Sequence, residues 1–209
     1  MLQRSIVSLS ILAALCTLAH ADPIIYSGQL TSADGGLIGS GAWSENQVLF
    51  DWHVTQNEDL SWHYEYAFDK DDAQGNLSHL ILQTSENFTD ADIWNTTPGI
   101  QAGDPTWYTP GTSNPNMPGS IYGLKFEPFG ESSISTISFD SSRAPMWGDF
   151  YAKDGAQGGQ LWNAGFGGSG GAQILVPDTQ TSTIPAPGAL LLSSLGASLI
   201  SWLRRRRML

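Results

Sequence analysis

Thiol chemistry is almost absent from this chain. Of 209 residues one is a cysteine, Cys16, and it lies in the apolar N-terminal stretch. Removal of that stretch excludes disulfides, cysteine nucleophiles and thiolate metal sites, so stability has to come from the core. Positive charge is nearly as scarce. Residues 22–183 hold all twenty acidic side chains but only Lys70, Lys125, Arg143 and Lys153, and four positive against twenty negative charges leave a formal −16. Such a surface repels nucleic acid and anionic lipid, and leaves calcium, cationic partners and neutral glycans as candidate ligands. No histidine follows His79, and no window before residue 185 shows a 3.6-residue apolar period.

What is present in the middle is punctuation and alternation. Short β-branched and aromatic runs, separated by Gly, Pro, Asn and Asp, place strand candidates at 24–31, 47–55, 60–68, 78–83, 120–126, 134–139, 147–152 and 173–176. The expected fold class is all-β, an antiparallel β-sandwich or jelly-roll-like ectodomain. Its clearest unit is VLFDWHVT, then QNED, then LSWHYEYAF. Phe50, Trp52 and Val54 share one face, as do Leu60, Trp62, Tyr64, Tyr66 and Phe68, while Asp51, His53, His63 and Glu65 take the other. Keeping both apolar faces together favours a hairpin loop of three or five residues over four. Residues 95–119, with five prolines, and 155–171, with eight glycines around Leu161, Trp162 and Phe166, read as irregular connections.

The two ends differ from this middle. Arg4, an apolar stretch over 6–18 and Ala19-His20-Ala21 form a secretory signal peptide at 1–21, with cleavage expected between Ala21 and Asp22. At the other end, Pro185-Ala186-Pro187 precedes sixteen uncharged residues, 188–203, and then Arg204, Arg205, Arg206 and Arg207. As a helix that run spans about 24 Å against a hydrocarbon core of about 30 Å, with snorkelling arginines offsetting the deficit. The arginines would hold the cytoplasmic side. The organisation is therefore a signal peptide, an ectodomain over 22–178, a linker over 179–184 and a tail over 185–209.

In that three-part order the last residues resemble the bacterial PEP-CTERM sorting signal, with Pro185, Ala186 and Pro187 as the motif and Ala186 where the family usually has glutamate. The resemblance implies recognition by an exosortase-type enzyme, transient inner-membrane anchoring through a transmembrane helix, and release to the cell surface or extracellular matrix. SHLILQTSENFT, NPNMPGSIYGLKF and ISFDSSRAPMWGDFYAKDG also resemble uncharacterised ectodomains that precede such tails, which bring no activity with them.

Chemical candidates in the ectodomain are few. Asp69, Asp71 and Asp72 crowd carboxylates into one turn, a chemistry suited to calcium, although Ala73 and Gln74 break the EF-hand pattern and an acidic hairpin turn is the plainer account. His53 and His63 suit a transition metal if they lie across from each other or from Asp51. Gly165, Gly167 and Gly170 satisfy a dinucleotide fingerprint, and Ser169 a nucleophile elbow, but a strand rather than a helix is expected after them. Glu65 with Glu127 or Asp149 would suit glycoside hydrolysis if the fold brought them close. Trp43, Trp94, Trp107 and Trp162 sit beside loops where indoles stack on sugar rings. Asn76, Asn87 and Asn95 open glycosylation-type triplets. The resulting expectation is a non-enzymatic surface or matrix protein with no cofactor, partnered by extracellular polysaccharide or other surface proteins. The alternatives are a carbohydrate-binding module, calcium-assisted or not, and a glycan-active hydrolase.

Overall fold

Alternating apolar residues bury one side of a strand only if a second layer covers them. In this chain the second layer is another sheet. The computed structural model describes residues 23–177 apart from 45, 46, 72, 130, 131, 156, 157, 169 and 170. The described residues contain β1 (Ile25–Thr31), β2 (Leu37–Ser40), β3 (Leu49–Gln56), β4 (Trp62–Asp69) and β5 (Leu77–Gln83). They continue with β6 (Ile93–Trp94), β7 (Gln101–Ala102), β8 (Thr106–Tyr108), β9 (Ile121–Glu127) and β10 (Ile134–Ser141). Last come β11 (Pro145–Gly148), β12 (Phe150–Asp154), β13 (Gln160–Asn163) and β14 (Ile174–Pro177). Two short 3-10 turns, Gly41–Trp43 and Asp90–Asp92, are the helical pieces among them, and none of their helices is long and apolar enough to cross a membrane. The expected signal peptide, linker and tail, including the run at 188–203, lie outside the described residues.

The result is all-β and sandwich-like, with every pairing antiparallel. A five-stranded sheet runs β1-β3-β4-β10-β6, and a seven-stranded sheet runs β2-β13-β12-β5-β9-β7 with β8 also on β9. A two-stranded ribbon, β11-β14, reaches β1, β3 and β5. The sheets meet through aromatic rings: Phe50 stacks on Phe150 with centroids 4.2 Å apart, and Phe126 on Phe139 at 5.4 Å. Each such pair adds about 0.5–1.5 kcal/mol to simple area burial. Tyr64 and Tyr66 can join this core because their hydroxyls donate to the carbonyls of Arg143 and Leu175, both at 2.8 Å. Trp52 Nε1 and Trp62 Nε1 are buried with no partner among the described residues, at a cost of about 1–3 kcal/mol each.

The hairpin has the expected register. Gln56 pairs with Trp62, which leaves a five-residue loop, and Phe50, Trp52 and Val54 face Phe68, Tyr66 and Tyr64. Leu60 departs from its expected place on the apolar face. It sits in the loop with φ +71° and is 62% exposed, because Leu60 N–H closes a turn onto the Asn57 carbonyl. Two further corrections concern the connections. The island at Leu161 and Trp162 is strand β13, paired with β12 and β2. The proline-rich connection is only partly irregular, because it supplies β7 and β8.

Candidate functional site

An open aromatic surface beside a cavity is built by that proline-rich connection. β7 and β8 are one edge strand in two pieces, both along β9: Gln101 pairs with Glu127, and Thr106 to Tyr108 pair with Gly123 to Ile121. Between the pieces Gly103 N–H reaches the Lys125 carbonyl at 2.8 Å and keeps the register. Pro105 is tolerated because an edge strand has one side without a ladder partner. Its carbonyl instead accepts from the Tyr122 hydroxyl at 3.2 Å.

This pairing sets Trp107 directly opposite Tyr122, with the two rings edge to face at 5.9 Å and 74°. Trp107 is 54% exposed. Beside it opens a cavity of about 240 Å³, whose apolar wall comes from Trp107, Tyr122 and Met146. Thr84, Ser85, Glu86 and Ser120 supply a polar wall. Thr84 is held by its N–H on the Tyr122 carbonyl at 2.9 Å and is 2% exposed, yet its Oγ1 has no partner among the described residues. Ser85 Oγ makes a long contact of 3.9 Å to Met146 Sδ.

The other expected sites fare differently. Asp69 and Asp71 share a turn in which Asp69 Oδ1 accepts the Asp71 N–H at 2.8 Å, while Asp72 lies outside the described residues. Next to that turn is a cavity of about 420 Å³ lined by Lys70, Gly75, Asn76 and Asp154. The Lys70 ammonium donates to the Gly75 carbonyl and, at 3.4 Å, to Asn76 Oδ1, so the chain's own cation lies against the oxygens there. Among the described residues no group of three or more His, Cys, Asp or Glu side chains is arranged to hold a metal ion.

His53 and His63 share the outer face of the five-stranded sheet but are not opposite each other: His53 faces Glu65, and His63 faces Thr55. Asp51 faces Ala67. His63 Nδ1 instead donates to Asp140 Oδ1 at 2.7 Å, and Asn95 Nδ2 donates to Asp140 Oδ2 at 2.7 Å. The carboxylates suggested for hydrolysis are not brought together. Glu65 lies on the five-stranded sheet and Glu127 on the seven-stranded one, where it pairs with Lys125 at 2.8 Å. Asp149 is buried and accepts from Asn163 Nδ2 and the Gly167 N–H, both at 2.8 Å.

Asp92 is likewise structural: Arg143 donates to both of its oxygens at 2.8 Å, and this pairing holds the carboxyl well below the usual carboxylate range. Asn76 and Asn87 are tied into the scaffold by Lys70 and, through the Asn87 carbonyl, by Arg143. Ser169 and Gly170 of the glycine-rich patterns lie outside the described residues.

Of the four loop tryptophans, Trp43 is fully buried, Trp162 is half-buried against a second apolar cluster, and Trp94 sits on the short edge strand β6. Trp107 lines the cavity of about 240 Å³. Sequence reasoning missed Thr84, Glu86, Tyr122 and Met146. They come from three separate segments, and the one local signal was Thr84 two residues after the apolar run Leu80-Ile81-Leu82 of β5. It also missed Trp147, which is 60% exposed and packs edge-on against Trp52 at 6.2 Å. No protein-family model, curated protein or solved structure matches this chain.

Proposed function

We propose that this chain is an exported, surface-sorted domain that acts by non-covalent binding and not by catalysis. The observation that carries the binding half is the Trp107 shelf, an exposed aromatic ring backed by Tyr122 beside a small cavity with both polar and apolar lining. The ordering of Asp92, Asp140 and Asp149 into scaffold hydrogen bonds supports the same reading, since these acids are spent on holding segments together.

The address comes from the two ends. The signal peptide directs export with cleavage between Ala21 and Asp22. The tail then anchors the domain briefly in the inner membrane, as a transmembrane helix stopped by Arg204 to Arg207. An exosortase-type enzyme removes it near Pro185, Ala186 and Pro187, and the jelly-roll-like ectodomain passes to the cell surface or matrix. There it meets extracellular polysaccharide or other surface proteins.

Peptide mass spectrometry of surface-located protein tests the address. The expected mature chain begins at Asp22 and ends before Arg204. Surface material that retains Arg204 to Arg207 would contradict it.

A further inference from the structure

We infer that the Trp107 shelf is a subsite for one pyranose ring of a neutral polysaccharide. This rests on the binding reading above and gives it a ligand class.

The platform matches one face of such a ring. A pyranose carries axial C–H groups on a flat side and hydroxyls around its rim, so it needs an apolar plane with polar groups at the edge. Trp107 supplies the plane. It is fixed by the β8–β9 ladder on one side and by the Tyr122 ring set edge-on to it, so little side-chain freedom is lost when a ligand covers it.

The cavity wall supplies the edge. A hydroxyl both donates and accepts, and Thr84 lines the cavity with its Oγ1 buried and without a partner among the described residues, so a ligand hydroxyl would meet it once that side chain turns towards the cavity. A buried hydroxyl left unpaired costs more than an average hydrogen bond contributes, and a sugar hydroxyl meeting the turned side chain would relieve that cost. Ser85 and Ser120 offer two more hydroxyls and Glu86 a carboxylate acceptor.

Charge and size narrow the class. Glu86 and the strongly acidic surface disfavour phosphorylated, sulfated or uronic ligands. At about 240 Å³ the cavity is smaller than the roughly 300–1,000 Å³ of pockets that enclose whole ligands. One ring is seated while the rest of the polymer runs over the surface.

Titration calorimetry of the chain as secreted, against cello-, xylo-, manno- and chitohexaose and dextran, tests this. At least one probe is expected to bind saturably, with affinity falling roughly tenfold or more in Trp107→Ala, as for other rings stacked on aromatic side chains. Thr84→Val is expected to lose several-fold and Glu86→Gln less than twofold. Trp107→Phe should fall between the parent and Trp107→Ala, and because Trp107 is exposed, thermal melts of the two Trp107 variants should match the parent, while Thr84→Val, which removes a buried unpaired hydroxyl, should melt no lower than the parent.

No binding of any probe at millimolar concentration overturns the inference. Binding that survives Trp107→Ala overturns it too, as does capture of a lysine-rich peptide that Glu86→Gln abolishes. Failure here in a protein still found processed at the surface removes the ligand and leaves the address. Retained arginines with Trp107-dependent binding do the reverse.

Discussion

The outer faces of the two sheets have opposite fates. On the five-stranded sheet, Asp51, His53, His63, Glu65 and Asp140 meet solvent to varying degrees, and the Asp51 carboxyl is raised by partial burial first and then by Glu65 and Asp69. On the seven-stranded sheet, Ile81, Ile121 and Tyr151 are buried on the outer side as thoroughly as core residues, with Met117 dropped onto them. The difference is the 95–119 connection. After supplying β7 and β8 it crosses that face and is pinned there: Tyr151 Oη donates to the Pro115 carbonyl at 2.7 Å, Asn116 Nδ2 to Gln160 Oε1 at 2.9 Å, and Lys153 Nζ to the Ser113 carbonyl at 3.3 Å. One segment therefore builds both a second apolar layer and the Trp107 shelf. Whether a sheet face is buried is decided by what the chain lays over it as well as by the strand's own alternation.

The sharpest way to break this contrast is to remove its anchor. Tyr151→Ala is expected to cost about 3–5 kcal/mol, like other buried aromatic truncations. Glu65→Ala, on the bare face, should stay within about 0.5 kcal/mol. Urea unfolding of both variants checks this, and a Tyr151→Ala loss below about 1 kcal/mol would mean that the cover is not a second layer.

A smaller effect is expected from pH. His79 lies under the cover, its ring 6.2 Å from that of Tyr151. Burial, then Lys125 and Lys153, lower its pKa to about 4, against a weaker opposing pull from Glu127 and the Asn114 side chain. The unfolded imidazole protonates near 6.5 and the folded one only near 4, so the unfolded state binds more protons between these values. The contribution is full above about 6.5, is lost as pH falls towards about 4, and levels off below that. His79→Gln should flatten the slope in this window, and the protection of the 109–118 amides, taken relative to the intrinsic exchange rate at each pH, should fall with pH in the parent but not in the variant. The Asp92–Arg143 pair meets this window only at its acid edge, because a depressed carboxyl begins to lose its contribution as pH enters the ordinary carboxylate range and goes on losing it below that.

The smallest expected effect is at the tip of the bare face's hairpin. A left-handed conformation costs a non-glycine residue about 1–2 kcal/mol, while glycine's added chain freedom costs about 0.5–1 kcal/mol. Leu60→Gly should therefore stabilise the protein by about 0.5–1 kcal/mol in thermal or urea melts. A destabilised variant would show that the exposed leucine makes a contact worth more than the strain.

The bare face also explains how much of the fold could be read in advance. Where one side of a strand meets water, alternation is a clean signal, and the hairpin of β3 and β4 had its faces legible from Phe50 to Phe68 except at Leu60, with its loop narrowed to three residues or five, of which the structure has five. All eight strand candidates correspond to strands, although 147–152 divides between β11 and β12. What escaped were short or edge pieces, β2, β6, β7, β8 and β13, whose residues carry too few positions to show a period and are ordered by their neighbours. The run Leu80-Ile81-Leu82 in β5 was the one local hint that both faces are covered, since all three are buried. Trp107 stood out as a loop aromatic. The groups around it did not, because Thr84, Tyr122 and Met146 meet only through pairing between distant segments.

The most direct test of the whole account is a two-dimensional nitrogen–proton NMR titration of the processed chain proposed above with whichever hexaose binds. Of the eight tryptophans Trp202 belongs to the removed tail, so seven indole N–H groups report on the separate tryptophans. The account predicts that the Trp107 indole and the Thr84 and Tyr122 amides shift together, with one saturation curve, while Trp147 and the amides of His53 and Glu65 stay still. Movement at Trp147 or on the bare face with Trp107 unchanged would contradict it.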